Sequence, residues 1–436
     1  MTTSALEART MRKVTWRIVP YLGLLYFISF LDRANVGFAA LTMNKALGLT
    51  ATMFGFGTGI FFFGYLLFEV PSNLALARFG ARRWITRIMI TWGIISGAMA
   101  FSQGEYSFYT IRFLLGLAEA GFFPGILLYL TYWFPASYRG KIIGLFMVAI
   151  PVSGIIGPPV SGLLFGFDGV SGMAGWQWMF IIEAAPALVL GVVTLFYLTD
   201  RPALATWLEP EERRWLQDTL DREERHRETV HRAGLVETLL NPRIWALSLV
   251  YFGPVVGLYG ITFWLPQIVK EFGLATPLQV GLVSAIPPLV GAFGMVLWSR
   301  HSDKTKERTW HVVAACFVGA AGFVLSGYLP SPVLRMASLS IAALGIYAAL
   351  PVFWTLPTAF LSGAAAAGGI ALINSLGNIG GYAGPFLLGF VKDQTNSFSA
   401  ALLTLAGLMV LAGIVALCLG HNRVLEESPH AAAGAD

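Results

Sequence analysis

Asp32 and Arg33 stand side by side inside the apolar run PYLGLLYFISFLDRANVGFAAL, Pro20 to Leu41. A charge at the bilayer centre costs about 2.5 to 3.5 kcal/mol on insertion scales, so ionisable residues at that depth normally face a water-filled cavity and mark a substrate or proton path. The competing reading is an ion pair that only stitches helices together. Four further charges fall in apolar segments, at Glu69, Arg112, Glu119 and Glu183, and all six lie in the N-terminal half. The set contains two cations and four acids. A guanidinium can grip a carboxylate with two parallel hydrogen bonds and does not lose its proton. A carboxyl whose pKa moves with desolvation and neighbouring charge can pick up and release one. Such a set suits a substrate or proton path through the bilayer.

The elements that must hold these residues are membrane helices. The 436-residue chain is 56% hydrophobic and only 12% charged, whereas soluble domains carry about 25% charged residues. Apolar stretches of about 20 residues, enough to cross the hydrocarbon core, fall near 15-38, 52-76, 84-102, 107-131, 140-166, 176-198, 243-268, 278-299, 310-329, 334-357, 365-391 and 398-419. No water is present there to bond the backbone, so each span must be helical. With the loops assigned alternately, the side of both termini holds 23 Lys and Arg and the opposite side only Lys45, Lys270, Arg335 and Lys392. Cytoplasmic termini are therefore expected. The N-terminal segment lacks a small-residue cleavage site after its first apolar run, so that run is expected to be a retained span. The formal charge of +5 reads as topology and not as a nucleic-acid surface.

A polar stretch from 199 to 242 divides the chain, giving an N-terminal bundle over 1-198 and a C-terminal bundle with a short tail over 243-436. Asp218 with Arg222, Asp221 with Arg225 and Glu223 with Arg227 are spaced i,i+4 with the acid first, which predicts a solvated helix in the connecting loop. ARFGARR after the second span aligns with DKTKERT after the eighth at an offset of 226 residues, and the same offset carries the first span onto the seventh. The expected fold is an all-α membrane protein of twelve transmembrane helices in two pseudo-symmetric six-helix bundles, the construction of secondary transporters with a midplane site. Trp16, Trp84, Trp133, Trp176 and Trp178 at span ends are expected to be interfacial anchors.

Arg112 and Glu119 are seven residues apart on one helix, so they share a face but are too distant for a tight pair. Either Glu119 titrates with Arg112 tuning it, or both brace neighbouring helices. Glu69, one turn past Tyr65 and just before Pro71, suits a gate or a helix brace. Glu183, before Pro186, suits satisfaction of backbone groups freed by a kink. The C-terminal half has no charge in a span, so its share of a pocket must come from dipoles and rings such as Trp354, Thr355, Asn374 and Asn378. Phe27, Phe30, Phe62, Phe122 and Phe123 supply aromatic surface, most of it for packing.

The loop motif LARFGARR, with its degenerate second copy SDKTKER, resembles the major facilitator superfamily over nearly the whole chain. LDRANVGFAAL, GYLLFEVPSN, RFLLGLAEAGFFPG and YWFPASYRG are similar to its anion:cation symporter branch, and GWQWMFIIEAAPA with DRPALATWLEPEER to the bacterial phthalate, hydroxyphenylacetate and tartrate permeases. The resemblance implies Asp32 and Glu119 as proton carriers, with Arg112 beside Glu119. It also implies Arg33 as the substrate carboxylate clamp and Asn374 as a ligand. Tyr65, Phe30, Trp354 and Thr355 complete the expected binding set. Related sugar-acid carriers often have tyrosine where Phe30 stands, which points toward a less polar acid. Ala77 occupies a motif position usually held by aspartate, while Asp303 retains it in the second copy. Glu69, Arg78, Arg82, Asp303 and Arg308 are the gating candidates. SGIIGPPVSG, Ser153 to Gly162, is similar to an antiporter motif but reads as close helix packing and a bend.

All six histidines fall in loops or at span ends, and there is no metal-ligand cluster and no GxxxxGK phosphate loop, so an enzyme or an ATP-driven pump is not supported. The expectation is a monomeric importer in the bacterial inner membrane, with a small organic anion and protons as partners and without cofactor or metal. A transporter-like sensor and a proton-coupled exporter are the rivals. Two titrating acids would allow a monoanion to enter with two protons, an electrogenic scheme worth about 2.3 kcal/mol per 100 mV.

Overall fold

The computed structural model describes residues 3-228, 241-360 and 363-420. Among them, eleven helices are long and apolar enough to cross a membrane, and a further helix of 33 residues, Gly363–Thr395, occupies the remaining predicted span. No strand occurs among the described residues. The first span belongs to one continuous helix, Thr3–Leu47, of 45 residues. At 1.5 Å per residue that is about 67 Å, far beyond the predicted 15-38, and it extends past that span at both ends, over 3-14 and 39-47.

Several spans are broken into two helices. The fourth consists of Glu105–Glu119 and Phe122–Thr131, with Gly121 between them in the left-handed region at φ 81°. A side chain there would also collide with Ser72 Oγ, 2.3 Å from an added Cβ. Its repeat mate, the tenth, breaks at Trp354 between Pro332–Phe353 and Thr355–Phe360. The fifth breaks at Val148 and the eighth at Ala285. Broken helices at the repeat interface are where transporters build their sites.

The two halves meet most closely on the side opposite the termini. The second span packs along the eleventh, the fifth against the eighth, and the first against the seventh. Small residues permit this approach: a Cβ on Gly55 would stand 2.4 Å from the Pro385 carbonyl oxygen, and one on Gly281 would stand 2.3 Å from that of Pro158. The second contact involves the proline pair of SGIIGPPVSG, whose predicted role in close packing it bears out. The Asp393 carboxylate accepts from the backbone N–H groups of Ala51 at 3.1 Å and Thr52 at 2.7 Å, capping the second span from the other half. Lys270 Nζ donates to the Leu41 carbonyl at 2.9 Å.

Three sequence expectations are corrected. The helix of the connecting segment, Pro210–Glu228, is docked rather than solvated. Arg9 and Lys13 of the first helix pair with Glu212 at 2.9 and 2.8 Å, Glu223 accepts from the Ala136 N–H at 2.9 Å, and Leu216 is fully buried. The Arg222 guanidinium donates to the Asp218 carbonyl and not to its carboxylate; the side chains of Arg225 and Arg227 lie outside the described residues. Trp133 and Trp176 are buried within the protein, Trp133 stacked on Trp207 at 5.3 Å, whereas Trp16 is exposed and Trp84 and Trp178 are half-buried. The connecting segment offered Trp133 a ring to stack on, which span-end position alone does not reveal.

Candidate functional site

Asp32 and Arg33 do not pair with each other. Adjacent residues on a helix point about 100° apart, and here they serve different surroundings. Asp32, 2% exposed, turns into the N-terminal bundle, where Trp92 Nε1 donates to Oδ2 and Ser96 Oγ donates to Oδ1 at 2.5 Å. Asn35 Nδ2 also donates to Oδ1 at 3.2 Å.

Arg33 turns toward a cavity between the halves with about 650 Å³ of open space. Its Nε donates to Glu119 Oε1 at 2.8 Å and its Nη1 to the Tyr259 hydroxyl at 3.2 Å, while Nη2 is buried without a partner. The guanidinium lies 5.4, 5.2 and 5.1 Å from the ring centroids of Phe30, Phe61 and Tyr65. A cation so placed is held by ring quadrupoles as well as by charge. Glu119 ends the first piece of the broken fourth span; its Oε1 also accepts from Ser29 Oγ at 2.6 Å, and its Oε2 has no partner. Arg112, two turns away, forms no ion pair with Glu119. It donates Nη2 to the Thr58 carbonyl at 3.2 Å and lies 5.1 Å from the Phe61 ring centroid.

Tyr26, Phe30, Arg33, Tyr65 and Phe123 line the cavity from the N-terminal half, and Tyr251, Tyr259, Trp354, Asn374 and Asn378 from the C-terminal half. The structure thus brings together five of the six predicted binding residues. Thr355 is not in the lining, and its hydroxyl donates to the Val352 carbonyl at 2.7 Å. Glu69 reaches across the halves: its Oε1 accepts from Asn374 Nδ2 at 3.2 Å, while Oε2 is unpartnered. Of the other gating candidates, Arg308 pairs with Asp303 at 2.6 Å and the Arg82 backbone N–H donates to Asp200 of the connecting segment at 2.8 Å. The Arg78 guanidinium lies over Phe79. Glu183 does not serve the Pro186 kink through its Oε1, which accepts from Ser161 Oγ of the fifth span at 2.7 Å.

Tyr259 is the cavity residue most conspicuously missing from the sequence reading, and the repeat could have found it. Adding the 226-residue offset to 33 gives 259, and the two side chains hydrogen-bond. The same offset joins Gly37 to Phe263, whose carbonyl oxygen lies 2.6 Å from where a Gly37 Cβ would stand. Repeat mates touch each other only near a pseudo-twofold axis, so the first and seventh spans cross on it.

The profile of the Major Facilitator Superfamily matches residues 22–385. The chain belongs to the major facilitator superfamily. It is a multi-pass membrane transport protein of that superfamily and not an enzyme. A relative from Agrobacterium vitis named "Putative tartrate transporter" is 55% identical, over 96% of this chain and 93% of its own. A "Quinolone resistance transporter" of Acinetobacter baumannii is 43% identical, with 94% of each chain covered. Among solved structures, the partially occluded inward-open xylose transporter XylE from E. coli superposes with a TM-score of 0.74 at 15% identity, covering 94% of this chain and 99% of that one. That likeness speaks for the superfamily fold alone.

Proposed function

We propose that this superfamily member imports a small aromatic or hydroxylated carboxylate by proton symport with alternating access. The observation that carries the reading is that Glu119 occupies Nε of a guanidinium that lines the cavity and whose Nη2 is left without a partner. When Glu119 is ionised, it neutralises Arg33. Protonation of Glu119 removes that countercharge and leaves Arg33 to attract an anion, so proton and carboxylate are bound together and released together. Aromatic walls would clasp the substrate body, and the Asn374 and Asn378 amides would meet a second carboxylate or a hydroxyl. Asp32, screened from the cavity, would be the second proton carrier, and Glu69 with Asn374 an inner gate.

In this reading 1-198 and 243-436 are the rocking bundles, 199-242 connects them in the cytoplasm, and the protein acts as a monomer in the bacterial inner membrane. With cytoplasmic termini, the closed side is the outer one. The name of the Agrobacterium vitis relative supports a hydroxy acid as substrate. That of the Acinetobacter baumannii relative favours a second reading, proton-coupled export of an aromatic compound.

The test is uptake of labelled tartrate, phthalate, hydroxyphenylacetate and nicotinate into proteoliposomes with the outside acid, with and without a protonophore. Accumulation of one acid that the protonophore abolishes is expected. Glu119→Gln should lose accumulation by about tenfold or more while still exchanging substrate across the membrane. Uphill uptake by that variant would remove Glu119 from the coupling, and outward pumping of aromatic compounds would establish the exporter.

A further inference from the structure

A second cavity, with about 590 Å³ of open space, lies between the halves on the outer side of the first. Phe30, Ile150 and Leu258 line both cavities and form the septum. Asn35 of the first span and Ser161 of the fifth line the outer cavity, and both contact buried acids. Asn35 donates to Asp32 at 3.2 Å and also interacts with the Glu183 carboxyl. Ser161 holds Glu183 Oε1, and Glu183 Oε2 and Asn35 Oδ1 are buried without hydrogen-bond partners. Neither Asp32 nor Glu183 lines either cavity; the outer one borders them through Asn35 and Ser161, whereas no residue of the substrate cavity's lining hydrogen-bonds to either acid.

We infer that Glu183 is the outer proton port of the transporter, taking a proton from the outer cavity and passing it to Asp32 across Asn35. The inference rests on the proton-symport reading. A proton from the external aqueous phase bonds to Glu183 Oε2, an acceptor with no other partner. As the Asn35 amide swings aside, the O–H bond at Glu183 breaks and one forms at Asp32, leaving Glu183 a carboxylate again. Intramembrane acids in series on a water-accessible face are the usual construction of such relays. Asp32 is the charged group facing Glu183; the third span contributes the neutral Trp92 and Ser96 to Asp32, and the fifth contributes the neutral Ser161. Glu183 touches no reacting substrate atom and is a relay residue, so its role must appear in proton coupling and not in affinity.

Wild-type and variant protein are compared in proteoliposomes for acid-driven accumulation, substrate exchange and substrate binding, over a range of external pH. Glu183→Gln is expected to lose accumulation by about tenfold or more with exchange and binding unchanged, and Glu183→Asp to recover part of the accumulation. Should Glu183→Gln fold poorly, Ser161→Ala reads the same site. Loss of a donor to a carboxylate favours its acid form, so the external-pH midpoint of uptake should rise by about half a unit or more. Wild-type accumulation and pH profile in Glu183→Gln would overturn the inference. So would parallel loss of binding and exchange without rescue by Glu183→Asp, together with an unmoved midpoint in Ser161→Ala. Wild-type protein without protonophore-sensitive accumulation would instead defeat the symport reading beneath it.

Discussion

Arg33 is shared between an acid of its own half and a phenol of the other, and the two partners do different work. Glu119 accepts from Nε within the N-terminal half, whereas the Tyr259 hydroxyl accepts from Nη1 and ties the fork to the other half. Removing one member of a buried charge pair strands the other, at about 2 to 5 kcal/mol, so Arg33→Ala should weaken substrate binding by roughly thirtyfold or more. Tyr259→Phe removes only one hydrogen bond to a cation, about 1.5 kcal/mol and roughly tenfold. Equilibrium binding to purified protein checks both. Equal losses would mean that Tyr259 touches the substrate itself, and unchanged affinity in Arg33→Ala would place the clamp elsewhere, with Arg112 the next candidate. The two cations and their acids were legible as residue types in an apolar setting; which acid meets which cation was not, because that depends on side chains from the first, fourth and seventh spans converging.

At the scale of elements, the broken fourth span and the docked connecting helix have the clearest consequences. The break at Gly121 ends a helix at Glu119 and so places an acid at the break. The helix Pro210–Glu228 ties the first helix to the segment at Ala136. Burial pushes the Glu212 carboxyl up, but hydrogen bonds from Lys13 and the Glu209 N–H, with the Lys13 and Arg9 charges, outweigh it and hold the group below its ordinary 4.5. A carboxyl lowered on folding stabilises the fold above its ordinary value, and the contribution is lost as pH falls through the folded value. Glu212→Gln should therefore lower the melting temperature at pH 7, with the difference from wild type shrinking below about pH 4.5. A constant difference across that range would show that the tie is not electrostatic. The connecting helix itself was legible in its charge spacing. Its docking was not, since the residues that receive it lie from 84 to 200 positions away.

At the scale of the whole molecule, the proposed alternating access requires that the closure opposite the termini be firm yet reversible. Glycine-to-backbone contacts supply close packing without long interlocking side chains, and Asp393 adds a charged cap across the halves. Burial raises the Asp393 carboxyl, but the N–H groups of Thr52 and Ala51 and the Thr52 and Thr50 side chains hold it below 3.8, so it is ionised at any ordinary external pH. Asp393→Asn weakens a charge-assisted cap worth about 1.5 to 3 kcal/mol and should shift the equilibrium toward outer opening by roughly tenfold or more. Spin labels at Lys45 and Glu271, read by pulsed dipolar spectroscopy, should show an enlarged long-distance population. An unaltered distribution would mean that packing alone holds the closure.

The sequence by itself determined the class of protein, the number and place of the spans, the repeat and the residues able to do chemistry. These follow from local composition, because a bilayer demands apolar length and self-satisfied backbones. The internal offset even contained the Arg33–Tyr259 pair. Only the tertiary structure decided that Asp32 and Arg33 face apart, that Glu119 occupies Arg33, that Glu69 reaches Asn374, and that Glu183 sits beside a second cavity. Those facts depend on helix rotation and on where spans break. Rotation is set by packing against partners distant in the chain, which no local pattern encodes.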